Sequence, residues 1–190
     1  MGAIVLTENK FLTDNETEHL LALLKRHKGE RDSIMLRIAL YTGARGCELL
    51  KLTAKDFSKE GNVSIRGAKG SNDRTVPLNV EDYLFSKEVA KYIEENQLKA
   101  DDRLFPISTR RLRYIWDFWR SNPNKGVHAI RHTTGLLMYL NSSDINKVKS
   151  LLGHRQINNS QIYAEFTHGP RTLKKSMKGM FKKKIADERE

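Results

Sequence analysis

Thr42-Gly43-Ala44-Arg45-Gly46-Cys47-Glu48-Leu49-Leu50 sets an arginine between two glycines at the junction of two apolar segments. The segment before it, Ser33 to Tyr41, is rich in apolar residues and stops at Thr42-Gly43, and Cys47 to Leu50 begin a new helical turn. The local reading is a helix, a sharp turn and another short helix. A guanidinium at such a turn lies close to backbone amides. Its planar fork of donors matches two phosphate oxygens, and the helix start adds positive potential, so Arg45 is a candidate phosphate ligand. The plainer alternative is a surface arginine beside a helix.

Upstream, Thr13-Asp14-Asn15-Glu16 is a capping box, in which a hydroxyl and a carboxylate satisfy free amides at a helix start. That helix is predicted to run to about His27. Downstream, Asn62 to Arg66 alternates polar and apolar residues, then come Gly67-Ala68-Lys69-Gly70-Ser71-Asn72-Asp73 and Arg74-Thr75-Val76-Pro77-Leu78. The pattern is two short strands joined by a Gly-rich hairpin, with Pro77 marking an edge strand. Helical patterns resume at about 86–96, 109–120, 129–140 and 143–152, with shorter ones near 160–166 and 172–184. The expected fold class is mainly α with one small antiparallel β-sheet. With 190 residues, no internal repeat and no dividing linker, one domain is expected. Its expected extent is 11–182, after an N-terminal extension (1–10) and before a frayed, charged tail (183–190).

Lys and Arg number 34 against 23 Asp and Glu, a formal charge of +11 that favours a polyanionic partner, with nucleic acid first. A membrane is not expected as a partner, because no long segment combines a broad apolar face with a basic one. No stretch approaches the roughly 20 apolar residues of a membrane span, and the N-terminal MGAIVLTENK has no basic region before its short apolar run. Cys47 is the single cysteine, which excludes an internal disulfide and a cysteine-built metal site and suits a reducing cytoplasm.

Two further clusters carry chemistry. In His128-Ala129-Ile130-Arg131-His132, His128 and Arg131 are three apart and share a helical face, so an imidazole that passes protons near pH 7 sits beside a fixed positive charge. His132 is expected to be a satisfied structural histidine. In Leu151-Leu152-Gly153-His154-Arg155 a helix ends on a Gly cap and His154 is expected to begin a new turn, nine positions before Tyr163. Tyrosine is a poor nucleophile at its usual pKa of about 10, so a reactive one needs cationic neighbours and an activated phosphate. Two Arg and two His supply that setting.

Taken in order, Arg45, Lys69 in the hairpin, His128 and Arg131, His154 and Tyr163 resemble the tyrosine recombinase, or phage integrase, family. The likeness is carried by Thr42-Gly43-Ala44-Arg45 with Glu48 three residues later, by Lys69 ahead of Arg74-Thr75-Val76-Pro77-Leu78, by His128-Ala129-Ile130-Arg131-His132, and by Leu152-Gly153-His154 followed by Gln161-Ile162-Tyr163. It extends roughly from Phe11 to Phe181. It implies a catalytic domain of that type, in which Tyr163 attacks a DNA phosphate to give a 3′-phosphotyrosyl bond and a free 5′-hydroxyl. By the same resemblance Arg45, Arg131 and His154 stabilise charge on the phosphate, Lys69 is the general acid, and His128 assists the nucleophile's proton. Glu48 orients these groups from behind, with His132 beside them. No metal, other cofactor or ATP is needed. Lys55, Lys59, Arg66 and Arg74 are alternative bases near the Lys69 hairpin.

Ser108-Thr109-Arg110-Arg111-Leu112-Arg113-Tyr114 opens a helix with three arginines, where the dipole also favours phosphate. The resemblance implies that this helix enters the major groove, with Arg110 reading a guanine edge and Arg111 and Arg113 clamping phosphates. A solvated basic face over buried Leu112, Ile115, Trp116 and Trp119 is the competing reading. Arg66 and Arg74 complete the expected DNA contacts. Double-stranded DNA, a homo-oligomer (a tetramer on DNA) and an accessory directionality factor are the implied partners. Residues 171–190 carry eight Lys or Arg against three acidic residues, and Leu173, Met177, Met180 and Phe181 suit a helix docked on a neighbour. Relatives of this kind usually carry a further helical domain ahead of the catalytic one, so a chain with about ten residues before its first helix is an excised domain or a single-domain recombinase. A type IB topoisomerase-like enzyme and a non-catalytic DNA-binding regulator are the competing functions.

Overall fold

Thr13 and Glu16 form the capping box that the sequence calls for: the Thr13 hydroxyl accepts from Glu16 N at 3.3 Å and the Glu16 carboxylate accepts from Thr13 N at 2.7 Å. They open α1, Asp14–Arg26, in a computed structural model that describes residues 6–68, 70–78 and 85–167. The same carboxylate accepts hydrogen bonds from the buried Lys125 ammonium and from Asn122, and so ties α1 to the loop before the sixth helix. α2, Arg31–Thr42, is buried along nearly its whole length, including Ile34, Met35, Leu36 and Ile38. It also buries Arg37, whose guanidinium lies 4.0 Å from the Phe85 ring centroid and donates to Glu88 at 2.7 Å. A charge is tolerated in this core because it is both paired and stacked.

α2 stops at Gly43, which has φ +60, and α3, Gly46–Leu49, follows after two residues. β1, Asn62–Ile65, and β2, Arg74–Pro77, pair antiparallel with Asn62 opposite Pro77 and Ile65 opposite Arg74. Both strands are edges, so Pro77 costs no central ladder bond. Val63, Ile65 and Val76 turn to the core. α4 is Phe85–Glu95 and α5 is Thr109–Trp119; α5 presents Leu112, Ile115, Trp116 and Trp119 inward and leaves its arginines outside.

α6, His128–Ser142, packs against α2, α7 (Ile145–Leu152) and α8 (Asn158–Thr167), and so joins two apolar cores. The larger core surrounds α2; the smaller contains Leu6, Phe11, Leu136, Tyr139, Val148, Leu152 and Tyr163. Residues 6–10, expected as an extension, pack onto this smaller core through buried Leu6. Next to them Phe11 meets Phe166 edge-on at 5.0 Å and Leu12 N donates to Thr133 Oγ1 at 2.7 Å. α7 begins at Ile145 rather than 143, because Ser143 adopts φ +51 and Asp144 caps the helix through Asn146 N. His154 does not open a helical turn: it pairs antiparallel with Ser71, and α8 starts at Asn158. The helix expected at 172–184 lies outside the described residues, as does Lys69. The architecture is mainly α with one small antiparallel sheet.

Burial pushes the Glu16 carboxyl upward, but hydrogen bonds from Lys125, Thr13 N and Asn122 outweigh it and hold the pKa at about 2. A depressed carboxylate contributes stability above its unfolded pKa and loses it as pH falls through the folded one, so this contribution fades from about pH 4.5 down to about 2. Glu16→Gln leaves Lys125 buried without its countercharge. The expected loss is about 3 kcal/mol in urea unfolding at pH 7, with the difference from wild type shrinking below about pH 4.

Candidate active site

The buried Glu48 carboxylate, 0% exposed, is where the separate sequence clusters meet. Glu48 Oε2 accepts from Arg45 N at 3.0 Å and from Arg74 Nη2 at 2.9 Å; Oε1 accepts from Arg45 Nη1 at 3.3 Å and from Ala68 N at 3.1 Å. Arg131 Nη1 lies 4.0 Å from Oε2. Burial alone would raise the carboxyl's pKa, but hydrogen bonds from Arg74 and from Arg45 N bring it down to about 2. Three guanidinium groups surround one carboxylate, leaving an excess of two positive charges for an anion to meet.

Arg131 is 3% exposed and donates to Gly43 O at 2.6 Å and to Leu152 O at 2.8 Å. It therefore bridges the C-terminal ends of α2 and α7, where free carbonyls concentrate partial negative charge. Burial, followed by the charges of Arg45 and Arg74, lowers its pKa to about 10, so it remains a cation at neutral pH. Gly43 is required twice over: its φ is +60, and a Cβ there would meet Leu152 Cδ2 at 2.4 Å.

His154 is held by its own amide on Lys149 O at 3.0 Å and by Nδ1 against Ser160 Oγ at 2.8 Å. Burial and then the charges of Arg131, Arg45 and Arg74 lower its pKa to about 3. The neighbouring Asn72 N donates to Gly153 O at 2.8 Å. The hairpin is thus tied to Glu48 at Ala68 and to the turn between α7 and α8 at Ser71 and Asn72.

Tyr163 on α8 is 1% exposed, and its hydroxyl lies 3.2 Å from His132 Nδ1. Burial raises its pKa to about 12 against the pull of Arg131 and Arg45. Space for the ring comes from Gly135, where a Cβ would meet Tyr163 Cζ at 2.5 Å and Oη at 2.8 Å. His128 stands edge-to-face with His132 at 5.0 Å between ring centroids. Its pKa is lowered by burial and by Arg131 and Arg45.

These groups line one cleft of about 780 Å³, with Arg45, His128, Arg131, His132, His154 and Tyr163 on its wall and Lys10 at its edge. Of the site residues expected from sequence, Arg45, His128, Arg131, His154 and Tyr163 are brought together there, and Glu48 lies behind them. The imidazole on the tyrosine hydroxyl is that of His132, not His128. Gly135, Ser160 and Lys10 escaped sequence reasoning. Gly135 had a signal, since glycine inside a helix costs about 1 kcal/mol and calls for a packing reason; Ser160 and Lys10 had none.

A second cleft of about 520 Å³ shares Arg45 and His128 with the first and runs beneath α5 past Cys47, Leu112, Arg113 and Trp116. Arg110, Arg111 and Arg113 are exposed, and Arg110 donates to Tyr114 Oη at 3.2 Å. Arg66 is largely exposed and pairs with Asp56 at 3.1 Å. Arg74, expected beside it among DNA contacts, is turned inward, its side chain 5% exposed, because Glu48 claims it. Among the described residues no cluster of three or more His, Cys, Asp or Glu is arranged for a metal ion, and no helix is long and apolar enough to cross a membrane.

The model of the phage integrase family matches residues 10–168. The chain belongs to that family. Tyrosine recombinase XerA of Pyrococcus furiosus is 29% identical over 168 residues, covering 83% of this chain and 58% of the relative. XerA of Saccharolobus solfataricus is 31% identical over 82% of this chain and 52% of its own length. The chain spans about half the length of the curated relatives it matches. Among solved structures, the XerH site-specific recombinase bound to difH substrate in a pre-cleavage complex aligns with a TM-score of 0.64 and 26% identity, over 86% of this chain and 52% of that chain. The catalytic domain of bacteriophage HP1 integrase aligns at 0.57 with 26% identity, over 88% of this chain and 93% of that domain.

Because Gly135 makes room for the tyrosine ring, Gly135→Ala in this family member should destabilise by about 1–3 kcal/mol through overpacking, even though alanine favours helix by about 1 kcal/mol. Urea unfolding measures it. A stabilised variant would mean that Tyr163 is not seated against α6.

Proposed function

We propose that the chain is the catalytic domain of a tyrosine-type site-specific DNA recombinase, cutting and rejoining double-stranded DNA through Tyr163. The observation that carries this reading is the gathering of Tyr163, Arg45, Arg131 and His154, from four separated segments, on one cleft. The Tyr163 oxygen attacks a backbone phosphorus, the Oη–P bond forms as the P–O5′ bond breaks, and the DNA is left with a 3′-phosphotyrosyl link and a 5′-hydroxyl. Arg45, Arg131 and His154 meet the charge that builds on the non-bridging oxygens, a task of positioned donors in a partly dry site. Lys69 protonates the leaving 5′-oxygen. His128 assists proton movement from the cleft wall, and Glu48 holds the guanidinium groups in place.

The phosphotyrosine keeps the free energy of the original diester, so a second 5′-hydroxyl reverses the attack and exchanges strands without ATP. Arg110, Arg111 and Arg113 on α5, with Arg66, give the DNA its grip, most of it through phosphates and therefore sensitive to salt. A homo-oligomer, a tetramer on DNA, brings paired sites together, and an accessory directionality factor biases the outcome.

A nicked suicide duplex tests the reading on a denaturing gel. Wild type is expected to form a covalent protein–DNA adduct and Tyr163→Phe none. Arg45→Gln is expected to slow adduct formation about 10²- to 10³-fold with a much smaller change in affinity. Clear binding with no adduct on any duplex would favour a DNA-binding protein without catalysis, and relaxed plasmid without joined products a topoisomerase.

A further inference from the structure

The side chain in contact with the reacting oxygen is one to which the family motifs assign no chemistry. We propose that His132 is the proton acceptor for Tyr163, its Nδ1 taking the hydroxyl proton as the oxygen attacks phosphorus. This rests on the reading of Tyr163 as the nucleophile. The contact is direct: His132 Nδ1 and Tyr163 Oη are 3.2 Å apart, with the imidazole partly buried on the cleft wall. His128, one helical turn away, meets the His132 ring at 5.0 Å and is the more exposed of the two.

The groups around His132 decide its charge state. His128 and Arg131 share its helix, Lys10 faces it from the N-terminal segment, and Tyr163 faces it from α8. His154 feels it from the turn between α7 and α8, while Arg45 from α3 and Glu165 from α8 line the same cleft. Burial, then His128, Arg131 and Lys10, bring its pKa to about 4, so the ring is neutral at physiological pH and has one nitrogen free to accept. In that state it is a weak base beside a tyrosine raised to about 12. A phosphate in the cleft changes the balance. Its negative charge, growing as the fifth oxygen adds, favours imidazolium and offsets the surrounding cations.

The Oη–H bond of Tyr163 breaks, its proton passes to Nδ1 of His132, the Oη–P bond forms, and the P–O5′ bond breaks with the 5′-oxygen taking a proton from the general acid. In rejoining, imidazolium returns the proton to the departing tyrosine oxygen.

Single-turnover cleavage of a nicked suicide duplex between about pH 6 and 9, compared for wild type, His132→Ala and His132→Gln, tests the assignment. Wild type should be nearly flat with pH. Both variants should be slower at pH 7 by about 10²- to 10⁴-fold and should recover close to tenfold per pH unit as hydroxide replaces the lost acceptor. Added imidazole should partly restore His132→Ala. Glutamine keeps a hydrogen bond to Tyr163 but cannot take its proton, so a wild-type rate with His132→Gln would overturn the proposal. A pH-independent loss without imidazole rescue would overturn it too, while the wild-type adduct still upheld Tyr163 as nucleophile. No adduct from wild type would overturn the nucleophile assignment itself, and this proposal with it.

Discussion

Glu48 places one full negative charge in a region that water does not reach, and that burial is affordable only because four donors from three residues converge on it. Such an ionic cluster adds little net stability compared with an apolar core, yet removing one member leaves unpaired buried charge. Its effect is geometric. Arg45 is fixed by its amide and its guanidinium, the hairpin is held at Ala68, and Arg74 is drawn inward. Arg131 completes the arrangement from α6 and uses its own donors on the carbonyls of Gly43 and Leu152, so the ends of α2 and α7 cannot drift apart without losing both bonds. A phosphate entering the cleft meets cations whose positions are already set, which is the condition under which electrostatic stabilisation costs no rearrangement.

α6 gives the site its second constraint. Three of its residues face the cleft at helical spacing, His128, Arg131 and His132, and Gly135 one turn later opens the space that the Tyr163 ring fills. The tyrosine belongs to the smaller apolar core rather than to a loop, and the N-terminal segment closes over that core through Leu6, and through Phe11 against Phe166. Tyr163 is therefore presented from a packed helix.

Much of this could be read from residues. The capping box at Thr13, the stop at Gly43 and the alternation in the two strands are local signals, and local hydrogen bonding decides them. Arg45, Arg131, His154 and Tyr163 stood out because a phosphate site needs their chemistry, though only the fold shows that they share a cleft. What remained hidden depended on long-range contact. His132 read as structural because nothing local reveals that α8 lays a tyrosine on it, 31 residues away in sequence. Arg74 read as a DNA contact because its partner Glu48 lies 26 residues back. Residues 6–10 read as an extension, since short-range pattern does not show which core Leu6 completes.

Under the proposed function the carboxylate-anchored cations serve one particular oxygen, that of Tyr163. Nuclease digestion of the trapped protein–DNA adduct, followed by tandem mass spectrometry of its peptides, measures this directly. A nucleotide joined through its 3′-phosphate to the peptide containing Tyr163 is the result expected. A nucleotide on any other residue, or one attached through a 5′-phosphate, would contradict that role for Tyr163.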